Sequence, residues 1–333
     1  MFDDEHHAYL KEYDCSRHAG CGRTTINQRT TRTCELEMTI KDLTLNIAGN
    51  RVGLLLLHGL CGTPLEMRYV AYGAARSGFT VHCPLIAGHG GEESDVATST
   101  WQDWYVSAEK ALHEIRKECD VVLVGGLSTG ALLALLLAAR NPKLVQGTMS
   151  YAPTIWLNGW VIPWYARFFS LVHTKWFANL IDFPDIEPHG IKDPRVRDFV
   201  RKAFMNHETS VAGLPSTPGG AVLEHRWLSR AMRREIGKTT QPALLIHPRE
   251  DDYAHLNNAE YLQKKLSGRV NTVILDDSYH NITIDKQRQI VVERTVAFAT
   301  QVANEVEAAR ALGKPARPTL VEADPVSRKS ARK

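Results

Sequence analysis

The stretch Val121-Val122-Leu123-Val124-Gly125-Gly126-Leu127-Ser128-Thr129-Gly130 constrains this chain more than any other. Its β-branched, wholly apolar start reads as a strand buried on both faces. The run Ala131 to Ala139 that follows carries no polar side chain and suits a helix buried on every side. Between them stands G-x-S-x-G. A strand can turn sharply into a helix there only if side chains are missing beside the serine, which is thereby pushed out at the sheet edge. The helix aims its positive N-terminal end at any negative charge that develops at that point. The competing reading is a serine in an ordinary tight turn, which the flanking strand and helix disfavour.

The rest of the chain repeats the alternation. After a hairpin expected over Cys34 to Ile47, short apolar runs recur at Gly53 to Leu57, Phe79 to Cys83, Thr148 to Ala152, Ala243 to His247 and Thr272 to Leu275. Helical patterns fall between most of them, at Pro64 to Arg76, Thr100 to Glu118, Thr129 to Arg140, Asn257 to Lys265 and Lys286 to Ala308. Strand alternating with helix predicts an α/β fold with a mostly parallel, doubly wound sheet. Residues 154–239 interrupt the rhythm with aromatics, prolines and helical fragments, and read as an inserted, mainly helical cap. The expected organisation is an irregular leader over 1–33, a core over 34–153 and 240–310, and a disordered tail over 311–333, where large apolar residues are almost lacking.

A serine hydroxyl is a weak nucleophile and needs a histidine base, itself held in one tautomer by a carboxylate. Two later strands supply candidates at the same sheet edge, where ligands bind in such folds. Ala243 to His247 leads into Pro248-Arg249-Glu250-Asp251-Asp252-Tyr253, and Thr272 to Leu275 leads into Asp277-Ser278-Tyr279-His280-Asn281. The order serine, acid, histidine agrees with a hydrolytic triad on this fold.

Four segments together carry a resemblance: Leu57-His58-Gly59-Leu60-Cys61-Gly62-Thr63-Pro64, Ala87-Gly88-His89-Gly90, Gly126-Leu127-Ser128-Thr129-Gly130, and Ser278-Tyr279-His280-Asn281-Ile282-Thr283-Ile284-Asp285. On these the chain resembles the carboxylesterase and monoacylglycerol-lipase branch of the α/β-hydrolases, serine aminopeptidase S33-like, over roughly Leu54 to Val296. The resemblance implies Ser128 as nucleophile, His280 as base and Asp251 as the orienting acid. Pro248 replaces the glycine usual in the family's acid motif, so Asp252 stays a rival. It also implies an oxyanion hole made by the backbone N–H groups of Leu60 and Thr129, and structural roles for His58 and His89. Leu60-Cys61 departs from the aromatic and small polar pair frequent in relatives. The implied reaction is hydrolysis of a small-molecule carboxylic ester bearing an apolar chain, with no cofactor and no metal. An amidase, peptidase or acyltransferase with the same triad is the nearest alternative, and a non-catalytic ligand receptor is the alternative of another class.

Composition excludes little more. The 333 residues carry 44% hydrophobic and 23% charged side chains and a net charge of +3, too small to argue for nucleic acid. The opening MFDDE lacks the order of a secretory signal and no apolar run is long enough to span a bilayer, so a soluble cytoplasmic protein is expected. Six scattered cysteines favour free thiols. Cys15, His18, Cys21 and Cys34 offer zinc-binding side chains without a familiar zinc-site spacing. Cys61 is a candidate for the substrate pocket or a reactive thiol. Trp156, Trp160, Trp164 and Phe168 recur every fourth residue and would share one face if helical, packing the cap or lining an acyl tunnel, although Pro163 interrupts them. The charged groups Asp193 to Asp198 and Arg230 to Arg234 read first as solvated surface.

Overall fold

The computed structural model describes residues 43–206 and 213–312. The leader, its cysteine and histidine cluster, and almost all of the expected tail lie outside the described residues.

A seven-stranded sheet forms the centre, in the order β1-β3-β2-β4-β5-β8-β9. Its strands are β1 (Leu45–Ile47), β2 (Val52–Leu57), β3 (Thr80–Cys83), β4 (Val121–Leu127), β5 (Gly147–Tyr151), β8 (Ala243–Pro248) and β9 (Val270–Leu275). All neighbours pair in parallel except β1, which runs antiparallel to β3 with Leu45 opposite Cys83. Strand β1 stands at one end of the described sheet, and the first half of the hairpin expected over Cys34 to Ile47 lies outside the described residues.

Two apolar layers cover the sheet because both faces of its strands are apolar. One gathers Leu55, Leu57, Val122 and Val124 against Trp104, Leu112 and Ile115. The other gathers Leu54, Leu56, Leu123 and Met149 against Met67, Val70, Phe298 and Val302. Helices α1 (Arg68–Arg76), α3 (Trp101–Glu118) and α4 (Thr129–Arg140) contribute to these layers, Phe298 and Val302 come from the C-terminal helix, and α2 (Glu93–Thr98) stands outside both with Val96 in a smaller cluster. Helix α3 begins at a capping box, in which Thr100 accepts the N–H of Asp103 and Asp103 accepts that of Thr100. Helix α4 is buried from Thr129 to Ala139, as its lack of a polar face requires.

Strands β5 and β8 are adjacent, so residues 152–242 leave the sheet and return to it. That excursion holds the short helix α5 (Lys175–Ala178), α6 (Pro194–Met205) and the long α7 (Gly219–Glu235). It also holds a two-stranded sheet, β6 (Asp182–Pro184) with β7 (Ser216–Pro218), which runs of three residues are too short to announce. Two further helices, α8 (Asn257–Lys265) and α9 (Arg288–Ala311), complete the core. Among the described residues no helix is long and apolar enough to cross a membrane.

Candidate active site

Ser128 sits between β4 and α4 with φ 54° and ψ −113°, a backbone conformation that L-residues rarely adopt. The flanking glycines explain how it is tolerated. A Cβ on Gly126 would lie 2.4 Å from the carbonyl carbon of Gly130, and one on Gly130 would lie 2.4 Å from the Leu57 carbonyl oxygen. Backbone is packed against backbone at both positions, and only the serine side chain projects. Its hydroxyl pairs with that of Thr154 at 3.1 Å. Among the described residues no hydrogen bond joins it to His280.

The acid and the histidine follow the C-terminal ends of β8 and β9, the same edge of the parallel sheet at which β4 delivers Ser128. His280 Nδ1 lies 3.0 and 2.9 Å from the two oxygens of Asp251. Asp251 is itself fixed, because Oδ1 accepts the backbone N–H groups of Tyr253 (2.9 Å) and Ala254 (2.8 Å). Burial alone would push this carboxyl up, but the His280 charge and hydrogen bond outweigh it and hold the acid below its ordinary range. For His280, burial opposes the charged form, yet Asp251 first and Asp252 and Glu66 after it raise the imidazole above its usual 6.5.

Asp252, the rival acid, does different work. Its Oδ1 accepts the backbone N–H of His280 (3.1 Å) and its Oδ2 that of Gly190 (2.9 Å). Neither bond reaches the imidazole ring, and burial lifts this carboxyl to about 6.

Thr129 opens α4, whose first amides have no intrahelical acceptor and point outward from the helix end. The loop bearing Leu60 faces it: Gly59 lies against Ser128, and Gly62 N–H closes a turn on the Gly59 carbonyl at 3.3 Å. His58 braces this loop as expected. Its Nδ1 donates to Gly59 O (2.8 Å) and its Nε2 accepts from Ile86 N–H (3.1 Å). Burial and the neighbouring His89 lower it to about 3, so it stays neutral. His89 packs edge-on between His58 and Trp104. Cys61 is buried, and burial pushes its thiol up to about 12, the opposite of an activated nucleophile.

The tryptophans depart from the expected helical stripe. Residues 158–161 are tied to the acid loop, with Asn158 and Gly159 donating to Tyr253 O and Val161 to Asp252 O. A 3-10 helix begins only after Pro163, at Trp164–Leu171. Trp156 therefore packs into the core against Tyr261, whereas Trp160 and Trp164 are 53% and 69% exposed. The four rings share no common face.

Two groups near Ser128 escaped the sequence reading. His225 of α7 is buried with Nδ1 2.9 Å from Thr129 Oγ1, and burial lowers it to about 4. Glu66 accepts the N–H of Gly59 through Oε2 at 2.9 Å. No local pattern marks either one, since each reaches the site only through tertiary packing. Among the described residues no cluster of three or more histidine, cysteine or acidic side chains could hold a metal.

Comparison with known proteins agrees with this architecture. Residues 49–287 match the family described as serine aminopeptidase, S33. The thermostable monoacylglycerol lipase of Bacillus sp. (strain H-257) is 27% identical over 251 residues, covering 74% of this chain and 90% of the lipase. The carboxylesterase of Bacillus subtilis (strain 168) is 19% identical over 75% of this chain and 93% of its own length. Among solved structures, one from the metagenome-derived lipolytic enzymes LipS and LipT superposes with a TM-score of 0.64 at 27% identity, covering 78% of this chain and 97% of that one. A soluble variant of monoglyceride lipase from Saccharomyces cerevisiae, bound to a substrate analogue, gives 0.65 at 13% identity over 78% and 91%, a likeness of fold.

Proposed function

The chain belongs to the serine aminopeptidase S33 family, and from that membership we propose that it is a serine hydrolase cleaving carboxylic esters with an apolar acyl or alkyl group. The observation that carries the proposal is His280 Nδ1 held by both oxygens of Asp251 at the sheet edge where β4 delivers Ser128. A histidine so held presents Nε2 as a base in one tautomer, which is what a neutral serine hydroxyl needs.

In the proposed cycle Ser128 Oγ attacks the ester carbonyl carbon while His280 takes the hydroxyl proton. The carbonyl oxygen becomes an oxyanion facing the N–H groups of Leu60 and Thr129. Collapse breaks the bond to the alcohol, which leaves with the proton from His280, and the acyl group stays on Ser128. Water then repeats the sequence and releases the acid. The relatives are named as lipases and a carboxylesterase, which favours an ester over an amide. The apolar part of the substrate is assigned to the region where Leu60 and Cys61 cluster with Val96, Leu214 and Ala221.

The test is hydrolysis of p-nitrophenyl esters from acetate to decanoate by the wild type and Ser128→Ala, both checked for folding by circular dichroism. Turnover should fall by about a million-fold in the variant. A folded wild type that cleaves none of these esters would overturn the ester reading. Equal rates on acetate and octanoate would remove the apolar acyl site.

A further inference from the structure

Glu66 stands in the 3-10 turn Pro64–Met67 that follows the loop bearing Leu60. The turn folds its side chain back over that loop. Oε2 accepts the Gly59 N–H at 2.9 Å, and a Cβ on Gly62 would lie 2.3 Å from both carboxyl oxygens. The carboxyl thus fills the inside of the turn between Gly59 and Gly62, whose own backbone bond is the 3.3 Å contact already described. A Cβ on Gly59 would meet Glu66 Oε2 at 3.2 Å and Ser128 Cβ at 3.8 Å, so one glycine touches the acid on one side and the nucleophile on the other.

The peptide that carries the Leu60 N–H begins at Gly59. That peptide's carbonyl, Gly59 O, is held by His58 Nδ1 and by the Gly62 N–H, which leaves the peptide before it, the one carrying the Gly59 N–H, to be fixed. Glu66 accepts that N–H and so pins Gly59 on both sides. Building on the ester-hydrolase reading, we propose that Glu66 is a positioning residue, which orients the Leu60 N–H toward the oxyanion by holding the Gly59 N–H from inside the turn. Its role is not to move a proton in the reaction.

The same carboxyl sits within electrostatic reach of the base. His280, Asp185 and the Cys61 thiol are the ionisable groups it faces. Burial lifts Glu66 to about 7, against the Gly59 hydrogen bond and the His280 charge. As a carboxylate it accepts the Gly59 N–H more strongly and helps His280 keep its proton. A positioning role therefore carries a second signature, a shift in the acid limb of the rate profile, that an ordinary packing residue would lack.

The experiment compares wild type, Glu66→Gln and Glu66→Ala, with Ser128→Ala as the blank, for kcat and KM across pH on one p-nitrophenyl ester. A donor misplaced by about 1 Å costs on the order of 100-fold. Folded Glu66→Ala should lose about 10- to 100-fold in kcat with KM little changed. Glu66→Gln keeps an acceptor oxygen, so it should recover most of that loss at neutral pH and move the acid limb of kcat/KM to lower pH. A folded Glu66→Ala with unchanged kcat overturns the proposal, as does a Glu66→Gln that is no better than Glu66→Ala. An unshifted acid limb in Glu66→Gln overturns the coupling to His280. Ester cleavage that survives Ser128→Ala indicts the Ser128 assignment instead, and its absence from the wild type indicts the ester reading.

Discussion

Asp252 Oδ1 accepts the backbone N–H of His280 at 3.1 Å, while the neighbouring Asp251 holds the ring of the same histidine. Two consecutive carboxylates thus fix one residue at two points, main chain and side chain. Their consequences for the enzyme are separable. Asp251→Asn should lower kcat by about 10,000-fold, because an amide can leave the imidazole in the wrong tautomer. Asp252→Asn keeps one acceptor oxygen for one of the two backbone N–H groups, loses the other bond, and leaves the ring contact untouched. Its kcat should stay within about 10-fold of wild type, and ester turnover by the two purified variants reads both outcomes.

The pH profile follows from the direction of the His280 shift. In the proposed cycle His280 must be neutral to act, and Asp251 holds its proton to a pH above the ordinary 6.5. The rate kcat/KM should therefore rise with pH through an apparent pKa above 6.5 and then level off. Asp251→Asn, with its residual activity, should show this limb at lower pH. A wild-type limb below 6.5 would contradict the charge arrangement.

How much of this was legible beforehand depended on whether a feature is local. Runs such as Leu54 to Leu57 and Val121 to Val124 announce buried strands because apolar character on both faces needs no distant partner. Gly126 and Gly130 announced the turn for the same reason. The choice between Asp251 and Asp252 was open, since adjacent residues share every local property and differ only in which one meets the imidazole. The tryptophan periodicity misled because hydrogen bonds from Asn158, Gly159 and Val161 to the acid loop override it. Glu66 reads in sequence as an acid near a helix start and enters the site only because the turn closes.

Asp285 straps residues 192 and 193, in the excursion between β5 and β8, to the loop that carries His280. This buried carboxylate accepts three backbone N–H groups, those of Lys192 (2.9 Å), Asp193 (2.8 Å) and Tyr279 (2.8 Å). Asp285→Ala strands all three, and each unsatisfied buried donor costs about 1–3 kcal/mol. Partial access of water lowers the sum, so a loss of about 2–5 kcal/mol is expected. Urea denaturation measures it, and a loss below about 1 kcal/mol would show that the strap contributes little.

Glu66 also makes stability depend on pH in a fixed direction. Its carboxyl is raised from 4.5 to about 7 by burial, so between those values the folded chain binds more protons than the unfolded one. The contribution of Glu66 to stability must then fall as pH rises through that window, while the buried His58 and His225, lowered to about 3 and about 4, act in the opposite sense below 6.5. Asp252, raised to about 6, acts in the same sense as Glu66 over a narrower range. Glu66→Gln cannot ionise and removes its own contribution. The urea midpoint at pH 8 should therefore gain on that at pH 5 in this variant relative to wild type, and an unchanged difference would refute the assignment.

The backbone of Ser128 offers the last test. At φ 54° and ψ −113° Ser128 holds a conformation costing about 1–3 kcal/mol for an L-residue. Ser128→Ala removes the hydroxyl and keeps the strain. Ser128→Gly removes both, but glycine adds about 0.4–1 kcal/mol of unfolded-state entropy for folding to overcome. Relief exceeds that cost over most of these ranges. Ser128→Gly should therefore be more stable than Ser128→Ala by about 1 kcal/mol, a difference within reach of paired thermal melts. Both variants should be equally inactive, so the comparison isolates the strain that the strand-to-helix turn imposes on the serine. If the alanine variant proves the more stable, the turn is not strained at Ser128, and the surrounding contacts of Gly126 and Gly130 alone account for its shape.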